Sequence, residues 1–189
     1  MEEQTITYPT EKKALYRLIR TRLQGLTDGV PHLTANLANV SALLNQALAD
    51  INWVGFYLIK EDRLILGPFQ GKPACVEIQV GHGVCGTAVA RDEIILVEDV
   101  HEFPGHIACD SASRSEIVVP IHLEGDIIGV LDIDSPIPAR FDEEDRQGLA
   151  VMIQAFEDVL CKSCRQNDSV GSYMAKKMIE QSKRADYNE

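Results

Sequence analysis

Apolar residues change their spacing along the chain, and each change marks an element. Between residues 10 and 26, Ala14, Leu15, Leu18, Ile19 and Leu23 recur at three- and four-residue steps, the signature of one buried helix face. Thr10 is placed to cap this helix with Glu11 in its first turn, and Asp28-Gly29 with Pro31 ends it. Leu37, Val40, Leu44 and Leu48 predict a second helix over 34–49. From Asn52 to Ile59, β-branched and aromatic residues take over, and Lys60-Glu61-Asp62 turns this strand into Leu64-Ile65-Leu66. Val76, Ile78 and Val80 alternate with polar residues as a further strand. Gly81 to Gly86 reads as a glycine-rich turn before a short helix, Thr87 to Arg91, and Ile94 to Val97 as another strand. Residues 99–115 have no period and hold Pro104 and Gly105, and so long an irregular stretch points to function. Glu116 to Leu123 and Asp126 to Ile133 are strands joined at Glu124-Gly125. Asp142 then caps a closing helix to Cys161, with Leu149, Ile153, Phe156 and Leu160 facing inward. This order predicts an α+β domain with a largely antiparallel sheet.

Composition narrows the function classes. The 189 residues, 45% apolar and 25% charged, suit one ordinary globular domain. A net charge of −11 repels phosphate backbones and anionic lipid, which argues against nucleic acid and membrane partners. No apolar run approaches the roughly 18 residues of a membrane span. The acidic start, Met1-Glu2-Glu3-Gln4, is unlike a secretory signal, so a cytoplasmic protein is expected. Residues 1–161 carry −13 and residues 162–189 carry +2, which divides a domain over 10–161 from a polar tail or added surface helix over 162–189.

Five cysteines, at 75, 85, 109, 161 and 164, form no even disulfide framework. Three readings follow: buried thiols, metal ligands or redox chemistry. Cys109 stands between His106 and Asp110 in the long loop, where His106 and Arg114 would favour its thiolate. Cys75 precedes a strand and Cys85 sits in the glycine turn, so the three thiols could exchange with one another. His106-x2-Cys109 and Cys161-x2-Cys164 have ligand-like spacing for zinc, but neither has a second pair at the usual separation, so no metal is expected. Asp132 and Asp134 project to one face at the end of an apolar strand, and Glu116 opens the neighbouring strand. Clustered carboxylates call for a cation or a shared proton, hence a pocket for an ammonium group with one acid of raised pKa. Trp53 and Tyr57 share a face of the first strand, as core or as a pocket wall. Gly81-x-Gly83-x-x-Gly86 matches a dinucleotide fingerprint in letters only, because no parallel βαβ unit surrounds it.

Four segments carry a resemblance: Gly67-Pro68-Phe69-Gln70-Gly71-Lys72-Pro73-Ala74-Cys75, Gly83-Val84-Cys85-Gly86, Phe103 to Asp110, and Ser115-Glu116-Ile117-Val118-Val119-Pro120. From residue 10 to residue 160 the chain resembles the GAF-domain enzymes called free methionine-(R)-sulfoxide reductases, with the three cysteines at matching steps of 10 and 24 residues. The resemblance implies a GAF-like fold, a six-stranded antiparallel sheet flanked by helices, as a homodimer. It implies Cys109 as nucleophile, Cys75 as its disulfide partner and Cys85 as a further resolving cysteine. Trp53, Tyr57, Glu116, Asp132 and Asp134 match residues lining the substrate pocket. The implied reaction is reduction of free methionine (R)-sulfoxide. The thiolate attacks sulfur, Glu116 or Asp134 supplies a proton to the oxygen, and Asp132 pairs with the free ammonium. Cys109 becomes a sulfenic acid, Cys75 or Cys85 condenses with it, and a thioredoxin-like dithiol restores the thiols without a bound cofactor. A GAF sensor reporting redox state without turnover is the alternative. Cys161, Cys164 and the tail lie outside the family pattern.

Overall fold

The computed structural model describes residues 7–105 and 110–166. Helix α1 (Lys12–Thr27) starts one residue later than Thr10 capping requires. Glu11 takes the cap instead, its carboxylate accepting from the backbone N–H groups of Lys13 and Ala14 at 3.0 and 2.7 Å. Helix α2 (Leu33–Ala47) follows, and then the chain turns to strands. β1 (Trp53–Lys60) and β2 (Arg63–Gly71) form a hairpin whose two turn residues, Glu61 and Asp62, both have φ above 50°. β5 (Ser115–Leu123) and β6 (Asp126–Ser135) repeat the device at Glu124 and Gly125. Two left-handed residues make a turn whose twist matches that of the flanking strands.

β3 (Glu77–Gln79) and β4 (Ile95–Val97) are short edge strands, and the sheet runs β3-β2-β1-β6-β5-β4, antiparallel throughout. β2 extends five residues beyond the expected Leu66 because its whole length pairs with β1. The glycine-rich stretch is where the structure departs most from the expectation. α3 (Gly83–Arg91) takes in Gly83 to Gly86, so Cys85 lies in a helical turn rather than a loop. Gly86 permits this: a Cβ there would stand 2.3 Å from the Gln79 carbonyl oxygen, so only glycine lets the helix start against the end of β3.

The closing helix α4 (Glu143–Gln166) begins as predicted. Asp142 accepts from the N–H groups of Glu144 and Asp145, and the Asp145 carboxylate accepts in return from the Asp142 N–H at 3.0 Å. The expected domain boundary at residue 161 falls inside this helix, and residues 167–189 lie outside the described residues. Among the described residues no helix is long and apolar enough to cross a membrane.

Alternation along the strands separates two layers. Val54, Phe56, Ile117, Val119, Ile121, Leu131 and Ile133 face α1, α2 and α4 in one apolar cluster. Trp53, Tyr57, Ile59, Val118 and Val130 face the other way, into a smaller cluster with Val84, Cys85 and Ala88 of α3. Glu116, Asp132 and Asp134, at even steps from Val118 and Val130, share this second face.

Candidate functional site

Strand register places the site. Trp53 pairs with Asp134 across β1 and β6, and Asp134 pairs with Glu116 across β6 and β5, so the three stand in one row. The next row holds Gly55, Asp132 and Val118. Gly55 has no side chain to set beside Asp132, and the Trp53 ring occupies that space. A Cβ on Gly55 would approach the indole to 2.7 Å and the Phe69 Cβ to 2.3 Å. Trp53 stacks on Phe69 at 5.2 Å between ring centroids and lies 6.0 Å from Tyr57, forming an aromatic wall beside the carboxylates. Its Nε1 donates to the Lys72 carbonyl at 3.1 Å, and the Tyr57 hydroxyl donates to the Cys75 carbonyl at 3.0 Å. These two bonds hold the segment carrying Cys75 against β1. Cys75 itself is half-buried.

The carboxylates are not a solvated strand end. Glu116 and Asp132 are buried at 5% and 7% exposure, and Asp134 is half-buried. Cys85 reaches them from α3: its Sγ and one carboxylate oxygen each from Glu116 and Asp132 lie within 4.8 Å of one another. One oxygen of Asp132, Oδ1, is buried with no hydrogen-bond partner. A buried carboxylate oxygen left without a donor is costly unless a ligand supplies one.

Burial sets the protonation order. Glu116 is pushed well above the usual carboxylate range by burial and by the charges of Asp132 and Asp134. Asp134 rises too, through burial and the charge of Asp132, opposed by a hydrogen bond to Ser113. Burial raises Asp132 to about 6, and hydrogen bonds from Cys85 and Glu116 to its charged form oppose the rise. Cys85 is driven far up by burial and by the Asp132 and Glu116 charges, so it rests as a thiol. Burial and mutual repulsion thus push all three carboxyls toward their protonated forms and keep Cys85 a thiol.

Cys109 and His106 lie outside the described residues. The next residue, Asp110, is tied down from three sides. Its carboxylate accepts from Asn52 Nδ2 at 3.1 Å, from Lys72 Nζ at 3.2 Å and from the Ala112 N–H at 2.9 Å. Asn52 also donates to Ser113 Oγ at 3.0 Å, and its own N–H donates to the Asp134 carbonyl. Sequence reasoning assigned no role to Asn52, Lys72, Ser113 or Phe69. Only Phe69 and Lys72 had a signal, since both fall inside a motif already singled out. Of the two zinc-like pairs, His106, Cys109 and the Cys164 side chain lie outside what is described, and Cys161 is half-buried against the larger apolar cluster.

The GAF domain family model matches residues 32–157. The chain is 55% identical over 149 residues to the free methionine-R-sulfoxide reductase of Escherichia coli, covering 79% of this chain and 90% of that protein. It is 43% identical over 161 residues to the enzyme of the same name from Saccharomyces cerevisiae, covering 81% and 87%. Among solved structures, the Neisseria meningitidis free methionine-R-sulfoxide reductase in complex with its substrate superimposes with a TM-score of 0.80. It is 42% identical, and the match covers 86% of this chain and 98% of that one. With six antiparallel strands in this order and these relatives along most of its length, the chain belongs to the free methionine-R-sulfoxide reductases of the GAF-domain family.

Proposed function

We propose that the protein reduces free methionine (R)-sulfoxide to methionine in the cytoplasm, using electrons from a thioredoxin-like dithiol and no bound cofactor. The observation that carries this reading is the buried Asp132 carboxylate with its unpartnered Oδ1, walled by Glu116, Asp134 and the Trp53 ring. A free amino acid brings the ammonium that such an oxygen lacks, whereas a methionine inside a chain has only an amide there.

Cys109 is the nucleophile in this scheme. Its thiolate attacks the sulfoxide sulfur while Glu116 or Asp134, whose burial favours the protonated form, delivers a proton to the oxygen. The products are methionine and a sulfenic acid on Cys109. A second thiol, Cys75 or Cys85, condenses with the sulfenic acid, releases water and forms a disulfide. The external dithiol then reduces that disulfide and is itself oxidised. Cys85 is buried as a neutral thiol and Cys75 is half-buried, which favours Cys75 as the thiol that meets the external reductant. The Lys72–Asp110 bridge supports the pairing of Cys75 with Cys109, because it joins two segments that each carry one of these cysteines within three residues. Following its family, the protein acts as a homodimer, which sedimentation equilibrium measures directly.

NADPH consumption with thioredoxin and its reductase tests the reading, with the R and S sulfoxides of free methionine offered separately. Turnover on R alone is expected, and Cys109→Ser abolishes it. Absence of turnover on either, with the thiols verified as reduced, overturns the reading in favour of a redox-sensing GAF module.

A further inference from the structure

Cys85, Glu116 and Asp132 together form a ligand set as well as a pocket wall. Their Sγ and carboxylate oxygens lie within 4.8 Å of one another, all three residues are buried, and Asp132 Oδ1 points at no donor. In a tetrahedral zinc site, with Zn–S near 2.3 Å and Zn–O near 2.1 Å, neighbouring ligand atoms stand about 3.5 Å apart. Closing the three side chains by about 1 Å reaches that spacing. The three come from separate elements, α3, β5 and β6, so each side chain approaches the shared point from its own direction.

We propose that these three side chains bind one borderline-soft divalent cation, Zn²⁺, with a fourth position left open. One sulfur and two carboxylate oxygens suit zinc. Calcium asks for six to eight oxygens, and magnesium for an octahedron with several waters, and neither favours a thiolate. The exchange balances: a thiolate and two carboxylates carry three negative charges, Zn²⁺ offsets two of them, and any protons the ligands held leave to solvent. The metal would then occupy the place of the substrate ammonium and engage the Glu116 carboxyl beside it. Zinc is therefore a competitive inhibitor of the reduced enzyme. This last consequence rests on the function proposed above, whereas the site itself does not.

The test replaces Cys75, Cys109, Cys161 and Cys164 with serine, leaving Cys85 as the sole thiol, and titrates Co²⁺ as a spectroscopic stand-in. A thiolate-to-cobalt charge-transfer band that saturates at one equivalent is expected. Zn²⁺ displaces it, millimolar Mg²⁺ does not, and Asp132→Asn weakens binding at least tenfold. No band, or a band indifferent to Asp132→Asn, overturns the site. If the four-serine protein does not fold, equilibrium dialysis of Zn²⁺ against the reduced full chain replaces it. There Asp132→Asn must bind one equivalent fewer, and equal binding overturns the proposal. Displacement of Co²⁺ by free methionine sulfoxide is expected, and its failure overturns the competitive step. Absence of turnover by metal-free wild type overturns the reductase reading instead and leaves the cobalt result standing.

Discussion

On one face of the sheet, Val54, Phe56, Ile117, Val119, Leu131 and Ile133 lie against three helices in a single apolar cluster. On the other, the same strands carry Glu116, Asp132 and Asp134 beneath one nine-residue helix and an aromatic wall. Both faces exclude water, and exclusion acts on them in opposite ways. It stabilises hydrocarbon by about 25 cal/mol per Å². It penalises charge, and the raised pKa values of Glu116, Asp132 and Asp134 record that penalty. The first layer thus supplies the stability that lets the second hold a carboxylate cluster in a form that disfavours folding and favours binding a cation.

The largest expected effect comes from the apolar face. Phe156 is fully buried with its ring 6.3 Å from that of Phe56, so Phe156→Ala costs about 3–5 kcal/mol in urea unfolding. Methionine sulfoxide turnover per folded molecule stays at the wild-type value. A fall in kcat beyond the loss of folded protein would mean that the layers are not separable in function.

Asp132→Asn is the converse. Turnover needs the negative charge, so KM for free methionine sulfoxide rises at least tenfold, equivalent to about 1.4 kcal/mol or more of binding. Stability moves the other way. Asp132 titrates at about 6 in the folded protein against 3.8 ordinarily, so between these values the folded state keeps a proton that the unfolded chain has lost. The contribution is full below pH 3.8 and is lost as pH rises through about 6, on the order of 3 kcal/mol in all. Asn removes that decline. Urea midpoints from pH 4 to 8 should therefore converge at the acid end and favour the variant near neutrality. Parallel curves for the two proteins would refute the strain assigned to this carboxylate.

Much of this division was legible in the chain itself. Period-two alternation put Asp132 and Asp134 on one face and the helical spacing of Leu149, Ile153 and Phe156 faced them inward, because both signals are local. The row joining Trp53, Asp134 and Glu116 was not legible, because it depends on the register of two hairpins with a long connection between them. Cys85 was misplaced for a related reason. Three glycines around it look like a turn until the Gln79 carbonyl shows why one of them must lie inside a helix. Asn52 gave no signal, since its partners Asp110 and Ser113 stand 58 and 61 residues away.

Gly55 tests whether the aromatic wall belongs to the functional layer. Gly55→Ala puts a methyl 2.3 Å from the Phe69 Cβ and 2.7 Å from the Trp53 indole, at about 1–3 kcal/mol of strain. The tryptophan fluorescence should shift and KM should rise with it, since Trp53 pairs with Asp134 in the site. A destabilised variant with unchanged KM would make the stack a packing feature alone.

His122 gives the smallest effect and asks how the layers are joined. Its Nε2 lies 2.8 Å from Asp92, the left-handed cap of α3, and its Nδ1 lies 3.2 Å from Glu157 on α4, so one imidazole links the helices of opposite faces. Burial lowers its pKa, but hydrogen bonds and charges from Asp92 and Glu157 outweigh this and raise it. The stabilisation is therefore full below pH 6.5 and fades as pH rises through the raised folded value. A third of the side chain is exposed, so screening holds the effect under about 1 kcal/mol. His122→Gln should lose that amount at pH 6 and nothing at pH 9, with kcat and KM unchanged at both. A penalty that persists at pH 9 would show that packing rather than charge joins the two layers. A change in KM would show that α3, and Cys85 with it, is positioned from the apolar side of the sheet.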